Sequence, residues 1–190
     1  MVIFVAGLVG VGKSLIAKRL ADRLSFPYYA IDEVKKIIYP QDPDFEHNVR
    51  HGIPFREETR LKVFQKVVTD FSHLAKNHEH LVVDECLHLK KPRQVLFDAA
   101  KAYFGGYIIV WVRANEALIQ ERLKSKERKD HILKDPLKMY RSFEKEFESF
   151  DESHIVCDNN GSIQEVTESL LSLIKNLAAL GGTNNVLSSF

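Results

Sequence analysis

The sequence predicts an α/β fold, a five-stranded parallel sheet held between two layers of helices. Three observations carry that expectation. Short apolar runs alternate with helical patterns along the chain, as strands joined by helical crossovers do. The first run, Val2-Ile3-Phe4-Val5-Ala6, leads straight into Gly7-Leu8-Val9-Gly10-Val11-Gly12-Lys13-Ser14, after which a helical pattern starts at Leu15. Acidic residues stand just past three of the five runs, at the end of a parallel sheet where ligands gather.

In chain order, strands are expected at Val2–Ala6, Pro27–Ile31, His80–Asp84, Tyr107–Arg113 and Ser153–Cys157, short runs rich in apolar or aromatic residues. Helical patterns fill the intervals at Lys13–Ser25, Asp32–Tyr39, Phe55–Asn77, Lys90–Phe104, Asn115–Lys126, Pro136–Phe150 and Ser162–Leu180. The segment Pro40–Pro54 is turn-rich and reads as a long loop over the carboxyl ends of the sheet. With no repeat and no linker, residues 1–180 are expected to form one domain. Residues 181–190, opening on Gly181-Gly182, read as a frayed tail.

At 190 residues the chain can build one core, and 45% hydrophobic with 28% charged residues is ordinary for a globular protein. A formal charge of +1 offers no global attraction for nucleic acid or a membrane, so either partner would need a local patch. No apolar run approaches the ~20 residues of a membrane span, and Val2–Val11 lacks the basic leader of a signal peptide. Two cysteines, Cys86 and Cys157, fit a reducing compartment, so a cytoplasmic location is expected. The eight histidines have no metal-ligand spacing, and Trp111, between Val110 and Val112, reads as core.

The glycine stretch matches G-x-x-x-x-G-K-[ST] in the context that motif needs, after a buried strand and before a helix. Its glycines let backbone amides wrap phosphates, Lys13 reaches the outer phosphates, and the Ser14 hydroxyl ligates Mg²⁺. Gly7, Gly10, Val11, Gly12, Lys13, Ser14 and Leu15 are therefore the expected contacts of a nucleoside triphosphate, ATP, with Mg²⁺ as its metal. The strand ends supply the rest of the site. Asp84 closes the third strand and would hold Mg²⁺ directly or through water, or face the acceptor; as a bland alternative it caps a helix. Glu85 could position water or support the loop.

Asp32 follows the second strand. Phosphoryl transfer to a hydroxyl needs a proton removed and the attacking oxygen aligned, and a facing carboxylate does both. Asp32 could also cap the helix that follows, which does not exclude catalysis. Lys35, one turn on, would anchor an acceptor group. The stretch Arg122-Leu123-Lys124-Ser125-Lys126-Glu127-Arg128-Lys129-Asp130 reads either as a solvated helix end or as a closing lid over about residues 123–136. As a lid it would bring Arg122 and Arg128 to the transferring phosphoryl group.

From Ile3 to Asn160 these residues resemble the P-loop small-molecule and polynucleotide kinases often labelled AAA-type ATPase-like. The resemblance is carried by Gly7–Ser14, by Tyr29-Ala30-Ile31-Asp32-Glu33-Val34-Lys35, by Gly52-Ile53-Pro54-Phe55, by Val82-Val83-Asp84-Glu85 followed by Arg93, and by Val110-Trp111-Val112 followed by Glu121-Arg122-Leu123. Polynucleotide 5′-hydroxyl kinases are similar over Asp32 to Lys35, which implies Asp32 as general base; they carry arginine where this chain has Lys35, a weaker bidentate phosphate ligand. The resemblance implies a strand order of 2-3-1-4-5. That order would keep Cys86 and Cys157 on non-adjacent strands. It also implies adenine between the helix leading to the lid and Asp158–Gly161, hence Asn159 as a nucleotide contact, and Asp32, Lys35, Asp84 and Arg93 on the acceptor side.

The leading expectation is an ATP-dependent kinase acting on a hydroxyl of a small molecule or of a nucleoside or polynucleotide 5′ end. The alternative is a regulatory ATPase in which Asp84-Glu85 activates water. A GTPase switch is disfavoured because Glu127-Arg128-Lys129-Asp130 lacks the leading Asn of its base-reading motif. A dinucleotide-binding domain is disfavoured because Leu15 stands where a third glycine is required.

Overall fold

In the computed structural model, which describes residues 1–51, 53, 55–124 and 136–179, the strands are β1 (Val2–Ala6), β2 (Tyr28–Ala30), β3 (Leu81–Asp84), β4 (Tyr107–Arg113) and β5 (Ile155–Asp158). All neighbours pair in parallel, in the order β2-β3-β1-β4-β5. The described helices are α1 (Lys13–Leu24), α2 (Ile31–Ile38), α3 (Phe45–His51), α4 (Glu57–Leu74), α5 (Lys90–Phe104), α6 (Glu116–Lys124), α7 (Pro136–Glu146) and α8 (Ile163–Ala179).

Strand alternation sends successive side chains to opposite faces, so β1 feeds two cores. Ile3 and Val5, with Val82, Ile108 and Val110, meet Ile16 and Leu20 of α1, Ile119 of α6 and Leu170 of α8. Val2 and Phe4, with Leu81, Val83 and Ile109, meet Val34 of α2, Val67 and Phe71 of α4 and Phe97 of α5. Every β1 side chain is fully enclosed, which explains why its sequence is apolar without alternation.

The segment expected as a loop after β2 contains a helix. Asp42 is buried, its carboxylate accepting from the Asp44 amide at 2.9 Å and from the Thr59 hydroxyl. This Asx turn launches α3, whose first contacts include Phe45 N to Asp42 O at 3.0 Å. Glu46 in its first turn and Arg50 and His51 in its last suit the helix dipole. The α4 helix starts at Glu57 rather than Phe55 because Phe55 is occupied in an aromatic stack, 4.1 Å from Tyr39 and 5.9 Å from Phe45.

Trp111 is not core. It lies half-buried at the rim of the sheet, stacked on Phe147 at 5.6 Å with the Arg113 guanidinium 5.1 Å from its ring. No described helix is long and apolar enough to cross a membrane. Residues 181–190, Arg128 and most of the expected lid fall outside the described residues.

Candidate active site

The glycine loop joins β1 to α1 and is clamped from behind. Gly12 has φ +93°, and a Cβ there would overlap the Asn159 amide and lie 3.4 Å from Arg122, so only glycine fits both backbone and space. Gly7 lies against β4, where a Cβ would stand 2.5 Å from the Val112 carbonyl. The Asn159 side chain donates to Val11 O at 2.8 Å, and Arg122 donates to the same oxygen at 3.1 Å and to Asn159 O at 3.3 Å. Asn159 is buried and its own amide reaches Arg113 O at 2.8 Å, so β4 and β5 together position the clamp. The guanidinium of Arg122, expected as a lid arginine, is docked on carbonyls of the loop and of Asn159.

Lys13 opens α1. Burial alone would lower its pKa, but Asp84, Asp32 and Glu85 outweigh it and keep the ammonium above its ordinary value. Ser14 follows with an exposed side chain. The Leu15 amide is spent on Gly12 O at 3.2 Å and its side chain is 50% exposed, so Leu15 borders the site through its backbone.

Asp84 is the last residue of β3, in register with Val5 on one side and Ala30 on the other. It is therefore a strand residue, and the helix-cap alternative fails because Leu89 is the N-cap of α5. Tyr28 donates its hydroxyl to Asp84 Oδ2 at 3.0 Å, while buried Oδ1 has no hydrogen-bond partner among the described residues. A buried carboxylate oxygen without a partner is expensive, and here it stands beside a cationic phosphate loop, as an oxygen that serves a hydrated Mg²⁺ would.

Asp32 is not a cap either, because α2 begins at Ile31 with Ala30 as N-cap. Its side chain is 55% exposed and accepts from Lys35 Nζ at 2.8 Å. The same ammonium reaches both oxygens of Glu85, at 2.9 and 2.7 Å. Burial would lower the Lys35 pKa, yet Asp32 and Glu85 hold it well above its ordinary value. Lys35, expected to anchor an acceptor group, thus bridges the carboxylates of Asp32 and Glu85. Cys86 beside them is inert, its thiol pushed up to about 12 by burial.

Arg93 does not reach the cleft. It is 1% exposed, with its guanidinium donating to the carbonyls of Leu87 at 3.3 Å, Glu148 at 2.5 Å and Ser149 at 2.6 Å and lying 4.4 Å from the Phe150 ring. It staples the β3–α5 loop, in which Leu87 has φ +57°, to the segment after α7. Arg93→Met should cost about 3 kcal/mol, since the buried Leu87 carbonyl and the part-buried carbonyls of Glu148 and Ser149 lose a charged donor. Urea unfolding checks this, with ATP affinity expected to stay the same. A variant of wild-type stability with a raised acceptor KM would return Arg93 to the acceptor side.

Tyr39 and His88, with Arg60, were not singled out in the sequence; Lys35 and Arg60 lie within electrostatic reach of both Tyr39 and His88. Charges at Lys35, Glu85 and Arg60 are all felt at Tyr39, and those at Lys35 and Arg60 at His88. The signal for Tyr39 was its i+4 spacing from Lys35; for His88 it was proximity to a strand end. Nothing local marked Arg60.

A family model described as an AAA domain matches residues 3–155. The chain belongs to that P-loop family. Solved structures similar to it include a sugar kinase from a Janibacter species, at 20% identity and TM-score 0.71 over 92% of this chain and 94% of that one. A gluconokinase from Sinorhizobium meliloti matches at 19% identity and TM-score 0.67, covering 95% and 97% of the two chains. A shikimate kinase from Aquifex aeolicus matches at 21% identity and TM-score 0.55, covering 96% and 100%. The fold of this AAA-family chain is thus that of the P-loop kinases. No curated protein matches it in sequence.

Proposed function

We propose that the protein is an ATP-dependent phosphotransferase that moves the γ-phosphoryl group to a hydroxyl of a small molecule, or of a nucleoside or polynucleotide 5′ end. The observation that supports the reading is the register of the sheet: Asp84 at the end of β3 pairs with Val5, two residues before the phosphate loop, and with Ala30, two residues before Asp32. The carboxyl ends of three neighbouring strands thus bring the proposed donor-side and acceptor-side groups to one edge of the sheet, where Lys35 joins Asp32 to Glu85. In the reaction, a lone pair of the acceptor oxygen attacks the γ-phosphorus and the bond to the β,γ-bridging oxygen breaks, leaving its electron pair on ADP. The acceptor proton passes to Asp32.

Ser14 and Asp84 would hold Mg²⁺, which supplies charge neutralisation at the phosphates when bound. The loop amides and Lys13 orient the triphosphate, and Lys35 keeps the Asp32 carboxylate turned to the cleft. Residues about 123–136 would act as the lid, with Arg128 as its contribution. A regulatory ATPase would need Glu85 to activate water, but both Glu85 oxygens are engaged by Lys35.

The test is a screen with labelled ATP against sugars, sugar acids, nucleosides, antibiotics and 5′-hydroxyl oligonucleotides. A labelled product and acceptor-stimulated ADP release are expected. Rapid ATP hydrolysis that no hydroxyl compound accelerates would instead favour the ATPase.

A further inference from the structure

Two carboxylates stand side by side at the end of β3, and their partners differ in kind. Glu85 meets α2, where the Lys35 ammonium engages both of its oxygens, at 2.9 and 2.7 Å. Asp84 meets a neutral donor, the Tyr28 hydroxyl, 3.0 Å from Oδ2. Its Oδ1 is buried and has no hydrogen-bond partner among the described residues. An ammonium offsets the charge of the carboxylate it holds and repels a second cation. A phenol fixes one oxygen by hydrogen bonding and leaves the negative charge in place.

The register of the sheet puts Tyr28 where it can do this. Tyr28 pairs with Val82, two residues before Asp84, so both side chains stand on the face that α1 covers. The Tyr28 ring packs against that core, with the Lys18 ammonium 5.6 Å from its centroid. From there the length of a phenol carries the hydroxyl to the end of the neighbouring strand. Phenylalanine would fill the same space, so packing does not account for the oxygen. The next residue shows the contrast. Tyr29 faces the other way and gives its hydroxyl to Asp70 of α4 at 2.6 Å, a carboxylate that also pairs with Lys66 on the same helix. One tyrosine ties strand to helix; the other holds a carboxylate of the site.

We propose that Tyr28 is a positioning residue for the metal-side carboxylate. Its hydroxyl holds Asp84 Oδ2, which leaves Oδ1 to the Mg²⁺ that the nucleotide brings. The inference rests on the phosphotransferase reading, in which Asp84 is on the metal side of the donor site. Tyr28 acts only through Asp84. Without the bond the carboxylate is free to turn, and part of the metal-binding energy goes into ordering it.

Mn²⁺ in place of Mg²⁺ tests this without turnover, its binding to the protein with ADP being read from the loss of the free-ion EPR signal. Tyr28→Phe should weaken Mn²⁺ binding about 10-fold, the lower end of what losing such a supporting bond costs, because the ADP phosphates share the ion. Metal-free ADP should bind as it does to wild type. Tyr29→Phe, the same chemical loss on the opposite face, should leave Mn²⁺ binding unchanged. In an Asp84→Asn background, itself weak in Mn²⁺, Tyr28→Phe should cause no further loss, because the two side chains act as one unit.

Wild-type Mn²⁺ affinity in Tyr28→Phe overturns the positioning role and leaves the phosphotransferase reading intact. So does an equal loss in Tyr29→Phe, or a loss that persists undiminished in the Asp84→Asn background, since either marks a general effect on the sheet. A wild-type ADP complex that takes up no Mn²⁺ withdraws the metal-side role of Asp84, and the donor site built on it, together with the role of Tyr28.

Discussion

Lys13→Ala is expected to lower kcat/KM for ATP by about 10²- to 10³-fold, the loss typical of a donor aimed at developing charge in a closed site. The size follows from what Lys13 stands among. Its ammonium stays charged against the cost of partial burial, because three carboxylates act on it. On ATP binding it would supply the positive charge closest to the bond that breaks. The loop does not depend on Lys13 for its shape, which Asn159 and Arg122 impose through Val11. The variant should therefore fold and melt close to wild type while releasing little ADP. Wild-type ADP release by Lys13→Ala would exclude the loop as the donor site.

Asp32→Asn should lower kcat by about 10²- to 10⁴-fold with the true acceptor and change the KM for ATP little. Asparagine preserves shape and can still accept from Lys35, but it cannot take the acceptor proton. Lys35 also retains its contacts of 2.9 and 2.7 Å to Glu85, so the cluster should not collapse. Pre-steady-state phosphoryl transfer with saturating acceptor is the direct measurement. Full turnover in that variant would assign the base elsewhere.

The donor half of the site could be read from the sequence because it is local: strand, glycines, lysine and helix are contiguous from Val2 to Leu24. Strands β1 and β4 were legible to the residue, being uninterrupted apolar runs buried in the middle of the sheet. The α3 helix was not, because Asp42 organises it through Thr59, a residue outside the segment. Arg93 and Arg122 were legible as positions near the site but not as roles. Whether a guanidinium faces a cleft or a set of carbonyls is decided by packing between distant segments, Glu148 and Ser149 for one and Val11 and Asn159 for the other. The cluster around Lys35 suffers most from this, since Asp32 and Lys35 follow β2 while Glu85 follows β3.

The clamp on Val11 does more than hold the loop still. A trans peptide is planar, with its oxygen and its hydrogen on opposite sides. Fixing the Val11 carbonyl toward Asn159 and Arg122 therefore aims the Gly12 amide the other way. Two side chains from the far half of the chain act as a lever on one peptide plane. The amide dipole they turn is set before any anion arrives, so binding need not spend energy on rotating it.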